Sequence, residues 1–197
     1  WFFWTLQQLE EHIGAKSVWE KYGAAMKSIL SAYRKGFFGG CVALHSNGLI
    51  WAAREGYALT WMNSVMNGTP QTPRAGYTVE INALWYNAVC YALELAKKCG
   101  DKEFVAEWKA LPKLTKESFL SSFFLEDEGF LADYVDLRGA DRSIRCNQII
   151  ACGLPYTMVT EEQVVSILLN ARQHLLTPLG LRSLSPEDSR FEATYKE

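Results

Sequence analysis

Basic excess, long apolar runs, histidine and paired cysteines are scarce or missing in this 197-residue sequence, and each absence closes a class of function. Lys and Arg number 20 against 22 Asp and Glu, a formal net charge of −2. That leaves no electrostatic footprint for nucleic acid as the main partner. No apolar run reaches the roughly 20 residues that span a bilayer. The opening Trp-Phe-Phe-Trp has no basic lead and no cleavage site, so it does not read as a signal peptide. The five cysteines (Cys41, Cys90, Cys99, Cys146, Cys152) are odd in number and scattered, with no Cys-x-x-Cys pair and no His/Cys cluster. Buried free thiols in a reducing cytoplasm fit them better than a disulfide scaffold or a zinc site. His12 and His174 sit in helical patterns and His45 in a turn, no Gly-x-Ser-x-Gly occurs, and no Cys can be tied to a His, so nucleophilic catalysis finds little support. Phosphate-loop and dinucleotide fingerprints are absent as well, as is any repeat of fixed period.

Apolar residues make up 49% of the chain and aromatics 13%, which excludes disorder and allows one domain with a sizeable core. The chain opens at Trp1 without Met, inside a helical pattern and without a cap, and is therefore expected to be a fragment of a longer protein.

Phe2, Leu6, Leu9 and Ile13 recur at helical spacing and Gly14 ends the segment. Ser17 with Glu20 predicts a capping box opening a second helix, with Val18, Tyr22, Ala25, Ile29 and Tyr33 inside and Gly36 as its stop. Cys41–Leu44 and Leu49–Ala52 then predict a hairpin around Asn47-Gly48. A long polar excursion runs from Arg54 to Thr78. Helix resumes over Val79–Cys99, with Ile81, Leu84, Ala88, Ala92 and Leu95 as its stripe and Gly100 as a left-handed cap. Phe104, Trp108 and Leu111 continue on a further helix that Pro112 breaks or restarts. Phe119 and Phe123 point inward. Glu126–Gly129 is a turn, Phe130–Val135 a short strand, and Ser143–Leu154 a short helix stopped before Pro155. Thr160 and Gln163 cap a last helix with the stripe Val164, Leu168, Ala171 and Leu175, and 177–197 is loop. The fold class is all-α with minor β hairpins: an array of α/α hairpins, closed into a ring or stacked as a bundle.

The stretch Leu59–Asn87 sets Trp61, Trp85, Tyr77 and Tyr86 among Asn63, Asn67, Asn82, Asn87, Arg74 and Glu80. Aromatic faces beside amides, a guanidinium and a carboxylate suit a ligand with apolar ring faces and many hydroxyls, such as a sugar. Alternatives stay open residue by residue. Trp61 and Trp85 are stacking platforms or core aromatics. Asn82, Trp85 and Tyr86 share one helix face that reads as a cavity wall. Glu80 is a general acid or base, or a first-turn carboxylate favoured by the helix dipole, and sequence alone favours the second. Arg74 clamps a ligand oxygen or pairs with Glu80. Asp133, Asp136 and Asp141 lie near a second loop and read mostly as solvated. Arg145, Asn147 and Gln148 form a site rim, or a cap with a salt bridge.

Several of these segments together resemble the C-terminal amylo-α-1,6-glucosidase domain of glycogen debranching enzymes. The resemblance rests on Trp1–Gln8, Leu59–Met62, Thr72–Arg74, Val79–Ala88, Ser143–Gln148 and Leu176–Pro186, in family order and nearly spanning the chain. Cys146 stands where the family usually has proline. The resemblance implies the middle part of an α/α toroid of six helical hairpins. It implies hydrolysis of α-1,6-linked glucose at a glycogen branch point by two carboxyl groups with inversion. No metal or organic cofactor is implied, and the partner is glycogen or a branched α-glucan in the cytoplasm. The family's general acid, an aspartate directly after Thr-Trp-Met, falls on Asn63, and its base lies in a segment this chain does not contain. Trp61, Arg74, Glu80, Asn82, Trp85, Tyr86, Asn87, Arg145, Asn147 and Gln148 are expected to line one pocket with Asn63. An incomplete ring is expected to self-associate through apolar edges such as Trp1–Trp4.

Overall fold

The computed structural model describes residues 1–194. In chain order the elements are α1 (Phe2–Ile13), α2 (Ala15–Lys35), β1 (Val42–Leu44), β2 (Ile50–Ala52), β3 (Val65–Met66), β4 (Thr69–Pro70), β5 (Gly76–Thr78), α3 (Val79–Cys99), α4 (Lys102–Trp108), α5 (Leu111–Phe123), β6 (Phe124–Leu125), β7 (Phe130–Leu131), β8 (Tyr134–Asp136), β9 (Gly139–Asp141), α6 (Gln148–Gly153), α7 (Glu161–Leu175), β10 (Leu176–Thr177) and β11 (Gly180–Leu181). About half the chain is helical, and the sheets are small.

The axis of the molecule is α3. It packs against α1, α2, α4, α5 and α6, and its buried residues run from Val79 to Ala96 on almost every side. The expected stripe is therefore too narrow: Ala83, Val89, Tyr91 and Leu93 are as buried as Ala88, Ala92 and Leu95, while Ile81 and Leu84 are only half-buried. Its end is as expected. Gly100 takes the left-handed conformation (φ 77°, ψ 18°), and Asp101 N–H reaches back to the Ala96 carbonyl.

Two apolar clusters flank α3. One joins Val18, Met26 and Leu30 of α2 to Trp85, Leu95, Phe104 and Trp108. The other joins Val79 and Ala83 to Phe119, Phe123, Leu131, Met158 and Ile167. Each large side chain taken fully from water contributes about 1.5–3 kcal/mol before entropy is counted.

In α2 the buried line is Val18, Met26 and Leu30; Ala25 is exposed, and Tyr22, Ile29 and Tyr33 are half-buried. The expected capping box does not form. Gly14 is the N-cap and the helix begins at Ala15, so Ser17 already lies in the first turn. In α7 the box does form: Thr160 and Gln163 bond each other's backbone N–H reciprocally. Its buried line is Ile167, Ala171 and Leu175, and Leu168 is exposed. Pro112 restarts the chain as α5, where a first-turn proline forfeits no hydrogen bond.

The strands form a five-stranded antiparallel sheet in the order β1-β2-β5-β8-β9. The expected hairpin is present, and its Gly48 carbonyl accepts from Trp85 Nε1 (3.2 Å) and Thr115 Oγ1 (2.9 Å), which docks the turn onto α3 and α5. The expected strand over 130–135 is split. β7 pairs with β6 across the 126–129 turn and β8 with β5, leaving Ala132 and Asp133 buried between them. The helix expected from Ser143 starts only at Gln148, because the preceding residues are drawn into side-chain bonding described below. The expected closing loop contains the β10–β11 ladder, and residues 195–197 of that loop lie outside the described residues.

β5 delivers the chain into α3, and Gly76 makes this delivery possible. Its φ is +111°, and a Cβ there would lie 2.4 Å from the Val135 carbonyl oxygen. Gly76→Ala is expected to destabilise the protein by about 1–3 kcal/mol from backbone strain, with the clash added. A urea midpoint unchanged by the substitution would show that the β5–β8 contact gives way freely.

Candidate functional site

The loop following β2, the start of α3, the β7–β8 junction and the segment before α6 meet around one buried guanidinium. Arg74 Nη1 and Nη2 donate to the two Glu80 oxygens, each at 2.6 Å. Arg74 Nε donates to Asp133 Oδ2 at 2.7 Å, and Nη2 donates also to Asp133 Oδ1 and to its backbone carbonyl, both at 3.0 Å. The three side chains are at most 2% exposed. Arg145 Nε lies 3.4 Å from Asp133 Oδ2, and Arg145 Nη1 donates to the Ser183 carbonyl at 3.2 Å. Asn147 Nδ2 donates to Asp133 Oδ1 at 2.8 Å, and Asn147 Oδ1 accepts from Trp61 Nε1 at 2.9 Å. Five of the expected pocket residues, Trp61, Arg74, Glu80, Arg145 and Asn147, thus form one continuous network.

Burial opposes the Arg74 charge, but the bonds and proximity of Glu80 and Asp133 outweigh it and hold the guanidinium above its ordinary value. Burial pushes the Asp133 carboxyl up, with Arg74 and Asn147 pulling the other way. Two cations face two carboxylates, so the network is neutral as a unit. Arg74 binds Glu80 through a two-pronged fork and shares its remaining donors with Asp133. Of the readings open for this pair, the geometry is that of mutual pairing, each Glu80 oxygen accepting one Arg74 N–H.

Of the other expected residues, Asn82, Asn87, Gln148 and Tyr86 are engaged elsewhere, whereas Trp85 lines the same cleft as Trp61 and Glu80. Asn82 is fully buried and bonds the Ile50 N–H (2.7 Å), the Ile50 carbonyl (3.1 Å) and the Thr78 carbonyl (3.0 Å), which ties α3 to β2. Asn87 exchanges bonds with Gln7 of α1 at 3.1 and 3.0 Å and accepts from Tyr156 N. Gln148 accepts from Leu131 N and donates to the Arg145 carbonyl. Trp85 is 5% exposed and packs edge-on to Trp108. Tyr86 is half-buried in the second apolar cluster, and burial with Cys90 pushes its hydroxyl up to about 12. Of the Asn82–Trp85–Tyr86 face, Asn82 is bonded and Tyr86 packed within the fold, and only Trp85 reaches a cavity wall. Asn63 is exposed, two residues after Trp61.

Trp61 is 54% exposed although its N–H is engaged. It stands with Thr60 and Glu80 at one side of a cleft of about 610 Å³ whose other walls are apolar, including Phe2, Tyr33, Leu59, Ile81 and Trp85. A second hollow of about 590 Å³ lies between 53–57 and 68–75, where the Arg54 guanidinium covers the Tyr57 ring at 4.0 Å. Among the described residues no group of three or more His, Cys, Asp or Glu could hold a metal ion, and no helix is long and apolar enough to cross a membrane.

Asp133 was missed as a site residue. Its signal was a lone carboxylate in the apolar run Phe130-Leu-Ala-Asp-Tyr-Val135, where a charge must be partnered.

Comparison with known proteins decides the family. The profile described as Amylo-alpha-1,6-glucosidase matches residues 1–197. The chain belongs to this family. A curated family relative, the glycogen debranching enzyme of Saccharomyces cerevisiae, is 26% identical over 188 residues, taking in 76% of this chain and 12% of the yeast protein. The chain thus spans about an eighth of that relative's length. Among solved structures, a GH78 family rhamnosidase of Bacillus sp. GL1 superposes with a TM-score of 0.57 over 83% of this chain and 16% of the rhamnosidase, at 18% identity. That likeness concerns the fold alone.

Proposed function

We propose that these 197 residues are the middle part of a C-terminal glucosidase domain, built as an α/α toroid, in a cytoplasmic glycogen-debranching-type enzyme. The full-length protein hydrolyses α-1,6-linked glucose at glycogen branch points by inversion between two carboxyl groups. The 197-residue piece alone binds glucan and releases no glucose, since Asn63 occupies the acid position and the base lies elsewhere. The observation that carries this reading is Trp61: a half-exposed indole with its N–H already satisfied, directly before Met62 and Asn63, in a chain that matches the family along its whole length. Such a ring offers its face to a pyranose at little entropic cost.

The test is calorimetric titration of maltotetraose, together with a glucose-release assay on branched limit dextrin. Trp61→Ala is expected to weaken maltotetraose binding about tenfold or more, the scale on which exposed anchor tryptophans act. Unaltered affinity, or glucose release by the piece at rates typical of the family, would overturn the reading. Asn63 favours a second reading, a non-catalytic glucan-binding module of the same fold. The exposed Trp1, Phe2 and Trp4 support self-association of the piece through that edge.

A further inference from the structure

No strand or helix holds Trp61, and the local turn in which Thr60 Oγ1 accepts from Met62 N at 3.3 Å makes no bond to the indole. A distant side chain does. Trp61 Nε1 can only donate, and it meets Asn147 Oδ1 at 2.9 Å. On the far side, Asn147 Nδ2 meets Asp133 Oδ1 at 2.8 Å. Both Asp133 oxygens face the Arg74 guanidinium, and a carboxylate paired with that cation is acceptor-only toward the amide. Only one orientation of Asn147 satisfies both neighbours. A flipped amide would turn N–H against N–H at the indole and oxygen against oxygen at the carboxylate. Asn147 is buried, and Met62 Sδ lies 3.4 Å from its Nδ2, which extends the hold to the residue before Asn63.

We propose that Asn147, locked in orientation by Asp133, is a positioning residue that fixes the Trp61 ring as the stacking platform for an α-glucan. The inference rests on the glucan reading given under Proposed function and adds the means by which a loop tryptophan is held ready without a ligand. The entropy of ordering that side chain is thereby met in the free protein, which favours affinity.

The test is a double-mutant cycle with two readouts. In nitrogen-15 spectra the Trp61 indole N–H signal is identified by its loss in Trp61→Phe. Asn147→Ala is expected to shift that signal and to speed its exchange with solvent. It is also expected to weaken maltotetraose binding about five- to tenfold, the worth of one buried hydrogen bond. In the Trp61→Phe background, which has no indole N–H to hold, Asn147→Ala should change binding less than about twofold. Should Asn147→Ala not fold, Asn147→Leu keeps the branching of the side chain without its hydrogen-bonding atoms and gives the same reading. An indole signal indifferent to position 147, or effects on binding that multiply in the double variant, would overturn the proposal. If the unaltered protein binds no maltotetraose while the indole responds to Asn147→Ala, the glucan reading fails and the anchoring of Trp61 stands.

Discussion

Asn63→Asp in the full-length protein is expected to raise glucose release from branched limit dextrin by about 10²–10⁴-fold, the range that a positioned general acid contributes. The reason is chemical. A side-chain amide has nearly the outline of a carboxylic acid and can hold a glycosidic oxygen by hydrogen bonding, but it has no proton to give at neutral pH. Asn63 is exposed, and its neighbours Trp61 and Met62 are both in contact with Asn147, so a carboxyl placed at 63 starts from an anchored stretch of loop. The gain should appear chiefly in kcat, because the proposed stacking on the Trp61 ring does not depend on the side chain at position 63. It should also bring an alkaline limb to the pH profile, since an acid catalyst must be protonated and is lost as pH rises through its pKa. A gain below about threefold, with maltotetraose affinity unchanged, would instead assign the protein to glucan binding without hydrolysis.

What could be read from the chain depended on how far away each residue's partner lies. Gly100 and the Thr160–Gln163 pair act on backbone groups within a few residues, and both behave as their neighbourhoods dictate. Ser17 and Glu20 have the same local pattern, but Gly14, bridging α1 and α2, takes the cap position and leaves them inside the helix. The polar residues of α3 show the limit more sharply. Asn82 answers the backbone of Ile50, 32 positions earlier, and Asn87 answers Gln7, 80 positions earlier. In one dimension a buried amide with a distant protein partner looks the same as an amide awaiting a sugar hydroxyl. Asp133 failed in the opposite direction. Beside Asp136 and Asp141 it resembled a solvated loop carboxylate, yet its partners, Arg74 and Asn147, lie 59 and 14 positions away and remove it from water. The family motifs escaped this limit because each couples several positions at once, and the segments Thr72–Arg74, Val79–Ala88 and Ser143–Gln148 do supply Arg74, Glu80, Arg145 and Asn147 to one network.

Arg74→Met is expected to cost about 3–5 kcal/mol, the largest stability loss in prospect from a single change here. Methionine fills much of the space but leaves the buried carboxylates of Glu80 and Asp133 without the cation they share, and only Asp133 retains a charged neighbour, Arg145. Arg74→Lys should fall between parent and Met variant, because a single ammonium cannot engage two carboxylates through parallel forks. The loss should depend on pH with a definite sign. Burial already raises the Asp133 carboxyl and Arg74 opposes that rise. Removing Arg74 therefore moves the folded-state value further above the unfolded one. A group raised in the folded state lends its stability below the unfolded pKa, near 4 for aspartate, and withdraws it as pH climbs through the raised value. The gap between parent and Arg74→Met should accordingly be widest near neutrality and narrow toward pH 5. Urea unfolding at the two pH values measures both effects. A loss under about 1 kcal/mol, or a gap that widens on acidification, would mean that the carboxylates find other partners and that the guanidinium is not what holds the β5 loop, the start of α3 and the Asp133 junction together.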